Sequence, residues 1–314
     1  MTPVTRSGLL LAAIALIGAV ASGWPVSPLV VALVAGVAVA QFPERWRPAT
    51  IDDLGRFALR LGVVLLGLRL SAGQLADIGL AGLVVVVLTV TATYTATRVV
   101  GRRLGLDEDL VTLVAVGFSI CGAAAIAGIQ DVVRARGAAV AQAVAMVTIF
   151  GSAMIAVVPL TADLLGLGPR ETAVWAGASI HEVAQVVAAG AAAAPTAVGI
   201  AVTVKLARVM LLAPLAVVVG RGRTAGGART LRVPWFVIGF LLAVGVRSTG
   251  VLDPAVLATA DRLATGLLAA GMFALGTTVQ LRTLAQGTAR LFVLAATSTA
   301  VAAGVPLALV HLLL

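Results

Sequence analysis

Two stretches of this chain set reactive side chains among apolar ones. The first reads Gly177-Ala178-Ser179-Ile180-His181-Glu182-Val183-Ala184-Gln185. A hydroxyl, an imidazole, a carboxyl and an amide within seven residues can donate, accept and exchange protons. Further on, Lys205 and Arg208 stand three apart, which puts both cations on one helical face. The second stretch, Gly117-Phe118-Ser119-Ile120-Cys121-Gly122-Ala123, shares the Gly-x-Ser-Ile core of the first. Glycine and serine at these points allow a helix to break and expose its backbone groups. Exposed amides attract an anion and exposed carbonyls a cation.

Plainer accounts exist for each feature. Gly117 and Gly122 serve close helix packing equally well. Glu182 with Lys205 or Arg208 can form an ion pair that only neutralises buried charge. On insertion scales each cation costs about 2.5–3.5 kcal/mol at the centre of a lone helix in lipid, so both should face a polar interior or snorkel. Arg208 has the shorter path to an interface.

The elements that carry these residues follow from composition. The chain has 314 residues, 61% of them hydrophobic and 11% charged, with a net charge of +9 and a mean hydropathy of +1.11. So few charges cannot coat a molecule of this size in water, so a polytopic, all-α membrane protein is expected and a nucleic-acid binder is excluded. One cysteine and two histidines rule out a disulfide framework and leave no cofactor or metal set in view.

Eleven segments suit membrane helices: 8–22, 28–42, 57–72, 79–99, 110–132, 138–160, 171–193, 196–219, 233–248, 257–279 and 288–312. For the first, a secretory signal ending near Ala19-Val20-Ala21 is the alternative. Alternating the loops sorts the peripheral arginines fifteen against five. The positive-inside rule then places the N-terminus and the 221–232 linker in the cytoplasm and the C-terminus outside.

The chain reads as a single membrane domain, 1–314. Segment 8–22 is an extra helix, with 28–160 and 171–312 as two inverted five-helix repeats. In that register the fifth segment corresponds to the tenth, Gly271-Met272-Phe273-Ala274-Leu275-Gly276. Two competing matches, between the fifth and seventh segments and between Leu66-Gly67 and Leu275-Gly276, are incompatible with it.

Four pieces together resemble a known family: Leu65-Leu66-Gly67-Leu68-Arg69-Leu70, Ser119-Ile120-Cys121-Gly122-Ala123, the run Ser179 to Gly190, and Lys205 to Pro214. The chain is similar to the YeiH-type bacterial membrane proteins, a family named for sulfate export. That resemblance implies a relative of the bile-acid symporter and cation/proton antiporter superfamily, with inverted repeats and crossed broken helices. It implies a transporter of sulfate, sulfite or an organosulfonate in the bacterial inner membrane. The wider superfamily's adjacent aspartate pair is missing from the expected core, which argues against an ordinary sodium/proton exchanger.

The leading expectation is an elevator-like secondary transporter exporting a small anion and coupled to H+ or Na+. Ser119, Cys121, Gly122, Ser179, His181, Gln185, Lys205 and Arg208 would bind the anion, with Glu182 and His181 coupling it to the ion. The expected partners are the anion, membrane lipids and, as an open alternative, a second copy of the chain. An anion channel or a sensor remains a second reading. An intramembrane enzyme using His181 with Glu182 or Cys121 is a third, weakened by the lack of a further catalytic member.

Overall fold

The computed structural model describes residues 28–41, 50–221, 235–277 and 288–314. The expected helix 8–22 and all of the 221–232 linker after Arg221 lie outside the described residues. Every described element is helical, as apolar surroundings demand of a backbone that must satisfy its own hydrogen bonds.

Helices α1 (Pro28–Ala40) and α2 (Ile51–Leu66) come first. A 3-10 turn, Gly67–Arg69, leads to the short α3 (Ala72–Asp77), which Ser71 caps while Gln74 reaches back to it. Then follow α4 (Gly79–Arg103), α5 (Glu108–Ser119), α6 (Ala123–Val133) and α7 (Gly137–Leu165). The second half holds α8 (Pro169–Ser179), α9 (Val183–Ala193), α10 (Val198–Met210), α11 (Leu212–Arg221), α12 (Trp235–Ser248), α13 (Pro254–Gly276) and α14 (Thr288–Leu313).

Five described helical runs are long and apolar enough to cross a membrane: Gly79–Arg103, Gly137–Leu165, Pro195–Gly220, Pro254–Ala274 and Ala289–Leu313. Trp235–Ser248 is apolar but shorter. This is a multi-pass membrane protein, and among the described residues two of the expected segments are not simple crossings.

These are the fifth and seventh segments. Both break, and both fold back on themselves. A β-carbon on Gly117 would lie 2.7 Å from the Ile126 side chain, although nine residues of continuous helix span about 13.5 Å. At the outer ends of the same pair, Arg136 and Asp107 come within 4.0 Å. Thus α5 and α6 form a hairpin. In the seventh segment, Gly177 of α8 and Gly190 of α9 both face Ala201, and the turn Pro195–Ala197 packs on α8 as well as α9. The loop ahead of α8 is tied to the loop ahead of α4 by Arg170 Nη2, which donates to the Asp77 carbonyl at 3.1 Å. Strict alternation would put those loops on opposite sides.

Each hairpin arm has 11 or 12 residues, enough for only half of a ~30 Å hydrocarbon core. Folding back also changes the count that loop alternation along the sequence gives. Arg134 and Arg136 join the side of Arg102 and Arg103, Arg170 leaves it, and the split becomes sixteen against four.

Two packed groups result. In one, α13 lies along α1 and α2, with α12 on α2. Small residues set the spacing there: a β-carbon on Gly271 would come 2.8 Å from Leu59 Cδ2. Arg69 crosses this group to pair with Asp261 and donates to Thr265 Oγ1 at 3.1 Å. Helix α13 runs through Gly271–Gly276, so the six residues matched to Gly117–Gly122 are helical. The other group gathers α4, α5, α7, α8, α9, α10 and α14 around the two hairpin tips. One apolar core containing Leu59, Phe118, Ile126, Phe236 and Leu268 joins the two groups.

Candidate functional site

The first hairpin turns at Ile120, Cys121 and Gly122. Ile120 N bonds to Val116 O at 3.0 Å and Gly122 N to Gly117 O at 2.9 Å, which closes the end of α5. Gly122 has φ +71° and ψ −134°, a conformation that strains any residue with a β-carbon. The second hairpin turns at Ile180, His181 and Glu182, with Ile180 and Glu182 extended. Across the turn, Glu182 N donates to Gln185 Oε1 at 3.1 Å.

The tips meet. A β-carbon on Gly122 would stand 2.7 Å from Glu182 Cγ and 3.3 Å from the His181 carbonyl. Phe118 and His181 pack with ring centroids 4.6 Å apart. The next helix, α10, reaches in from the side. Lys205 Nζ donates to Ile120 O at 2.6 Å and to Ile180 O at 2.7 Å. Arg208 spans the same gap: Nε and Nη2 reach Ser119 O at 3.1 and 2.8 Å, and Nη2 reaches Phe118 O at 2.9 Å. Its Nη1 donates to Ala178 O at 2.5 Å and Ile180 O at 3.1 Å. Both cations are fully buried. They cap the carbonyl ends of α5 and α8, which carry partial negative charge.

Other polar atoms at the tips remain unpaired. Neither carboxyl oxygen of Glu182 has a hydrogen-bond partner. The Ala123 amide faces that carboxyl from outside hydrogen-bonding geometry, and Lys205 acts on it from farther away. The direct ion pair between Glu182 and Lys205 or Arg208 is therefore not formed. His181 Nε2 lies 3.3 Å from Thr299 Oγ1. That hydroxyl also bonds Ala295 O, and His181 Nδ1 keeps no hydrogen-bond partner. Gln185 Nε2 and, on α7, Thr148 Oγ1 are likewise unpaired. Buried polar groups are ordinarily satisfied, so this cluster is the candidate place for a polar ligand. Among the described residues no group of His, Cys, Asp and Glu could hold a metal ion.

The family model described as conserved hypothetical protein 698 matches residues 7–295. A UPF0324 membrane protein of Corynebacterium glutamicum is 42% identical over 292 residues, covering 90% of this chain and 84% of that one. The chain belongs to the UPF0324 family. A UPF0324 membrane protein of Yersinia pestis is 38% identical, covering 82% of this chain and 77% of its own. The UPF0324 inner membrane protein YeiH of Escherichia coli is 35% identical, covering 84% and 79%. No solved structure matches the chain.

In this UPF0324 chain the residues singled out by sequence converge, in different attitudes. His181, Glu182 and Gln185 offer free polar atoms. Lys205 and Arg208 direct their donors at backbone. The serine hydroxyls turn back on their own helices, Ser119 to Val116 O at 3.3 Å and Ser179 to Trp175 O at 2.7 Å. The buried Cys121 feels the charges of Lys205, Glu182 and Arg208. Sequence reasoning missed Thr299, Thr148 and Gly151, whose β-carbon position is taken by the Gln185 amide. Only the spacing of Thr148 and Gly151, one turn apart on α7, hinted at a shared face.

Proposed function

We propose that this chain is a secondary transporter of a small anion, held between the two hairpin tips and moved by alternating access in the bacterial cytoplasmic membrane. One observation carries the reading: the fully buried tips present unpaired His181, Glu182 and Gln185 atoms beside two cations. Charge arithmetic supports an anion. Lys205 and Arg208 bring two positive charges and Glu182 one negative, while the two carbonyl ends and the two amide ends, at about half a charge each, cancel. A surplus of about one positive charge awaits a partner, and it grows when Glu182 takes a proton.

In this reading the group of α1, α2, α12 and α13 is the frame, and the hairpin group moves against it as an elevator. The hairpins enter from opposite faces, as inverted halves would, with the N-terminus cytoplasmic as the sixteen-to-four arginine split favours. Sulfate, sulfite and organosulfonates are the substrates of choice, exported at the expense of an ion gradient. Covalent catalysis is disfavoured: the Cys121 thiol and the His181 ring lie on different tips, and the ring bonds Thr299 and not the thiol.

Proteoliposomes loaded with one of these anions should take up labelled anion from outside by counterflow. Current without counterflow would replace the transporter by a channel. Chemically altered anion would replace it by an enzyme.

A further inference from the structure

Seven hydrogen bonds run from Lys205 and Arg208 to five main-chain carbonyls, those of Phe118, Ser119, Ile120, Ala178 and Ile180. The neighbouring carbonyls are already used. Val116 O accepts from Ile120 N, Gly117 O from Gly122 N and Ala176 O from Ile180 N, and Trp175 O accepts from the Ser179 hydroxyl. What the cations fill is thus the remainder of two helix ends left open by the breaks.

In carriers built on broken helices, unwound carbonyls and half-helix C-termini are where a coupling Na+ is coordinated. Here the same kind of cradle holds an ammonium at 2.6 and 2.7 Å, close to the ~2.3–2.6 Å at which hard cations bind carbonyl oxygen. We infer that Lys205 is a tethered occupant of the coupling-cation seat, so that this protein neither binds nor requires sodium and its coupling ion is a proton. The inference rests on the transport reading for its second half only.

The physical argument is one of occupancy. A free cation must bind the cradle from solution and leaves it when diluted, so its presence can be coupled to a gradient. A side chain on α10 is present at every ion concentration, so its charge carries no information about the gradient. Only a group that changes charge in place can do so, and among the described residues the tips offer the Glu182 carboxyl, with both oxygens unpaired, and the His181 imidazole, with Nδ1 unpaired.

The test uses the purified full chain. Melting temperature is measured at equal ionic strength in sodium, potassium and choline chloride, for the wild type and for Lys205→Ala and Lys205→Met. The wild type should melt at one temperature in all three salts. Lys205→Ala should melt lower and recover with butylammonium or sodium in a saturable way, but not with choline. Lys205→Met, whose side chain fills the space, should not recover. A wild type stabilised specifically by sodium overturns the inference, and so does a Lys205→Ala protein as stable as the wild type and indifferent to every cation. Should Lys205→Ala fail to fold, the wild-type salt series still decides. In proteoliposomes, replacing sodium by choline on both faces should leave anion flux unchanged, and a flux that collapses refutes proton-only coupling. A protein that moves no anion in either medium refutes the transport reading, while sodium-blind melting keeps the tethered seat.

Discussion

Gly122 and Glu182 touch across the meeting point of the two hairpins: a β-carbon on the glycine would lie 2.7 Å from Glu182 Cγ and 3.1 Å from Oε1. One turn therefore limits the position of the carboxyl on the other, and each tip is shaped to admit its neighbour.

Gly122→Ala should be costly on two counts. Its positive φ of 71° adds about 1–3 kcal/mol of strain for a residue with a β-carbon, and Glu182 must move. Gly245→Ala, in α12 with nothing within 4 Å of the new methyl, should be neutral or stabilising by up to about 1 kcal/mol. Thermal melts in detergent compare the two. Equal melting temperatures would show that the tips are not in contact.

Arg208→Lys preserves charge and loses reach. The guanidinium fork serves four carbonyls, those of Phe118, Ser119, Ala178 and Ile180, and an ammonium with three donors leaves at least one unpaired. Each buried carbonyl left unpaired costs about 1–3 kcal/mol, so the variant should melt far below the wild type, close to Arg208→Met. A lysine variant as stable as the wild type would mean that charge alone is what the tips need.

Glu182→Gln imitates the protonated carboxyl and cannot titrate. Anion binding should survive, while uptake loses its dependence on an imposed pH gradient. Thr299→Val, which removes the hydroxyl beside His181 Nε2, should weaken binding and leave the pH dependence in place. Gradient-driven uptake that persists in Glu182→Gln would move the coupling proton elsewhere.

Gly151→Ala is a second route to the same site. The new methyl would collide with the end of the Gln185 side chain, its Nε2 at 2.8 Å, and an amide that swings aside gives up the bond from Glu182 N. Stability should fall by about 1–3 kcal/mol, while anion affinity falls several-fold. A variant with unchanged affinity would exclude the Gln185 amide from binding.

Hairpins and crossings differ in which loops share a face. In a Cys121→Ser background, single cysteines at Gly105 and Gly137 should react with an impermeant reagent from the same side, and those at Asp77 and Gly168 from the other. Gly105 and Gly137 reacting from opposite faces would restore a crossing helix at 108–133.

Much of the site was legible because its residues are expensive where they stand. Lys205, Arg208 and Glu182 in apolar runs demand an interior, and Gly-x-Ser-Ile marks both breaks at the positions found. The folding back was not legible. Hydropathy measures length and polarity, and two arms of 11 or 12 residues joined by a three-residue turn have the profile of one crossing helix. Contacts distant in sequence, such as those between Arg136 and Asp107 and between Arg170 and Asp77, separate the two cases. The part taken by the cations was also hidden, because a charge pattern does not reveal whether its partner is a ligand or the main chain. Likewise, Thr299 lies 118 residues from His181 and no spacing connects them.

The chain's single cysteine sits on a hairpin turn, 7% exposed. A thiol in that place is a clock that needs no engineering. With the tips closed it is shielded, so the rate at which a small alkylating reagent consumes it counts how often they part. Titrating an anion against that rate would rank candidate cargoes on the native protein, before any of them has been moved across a membrane.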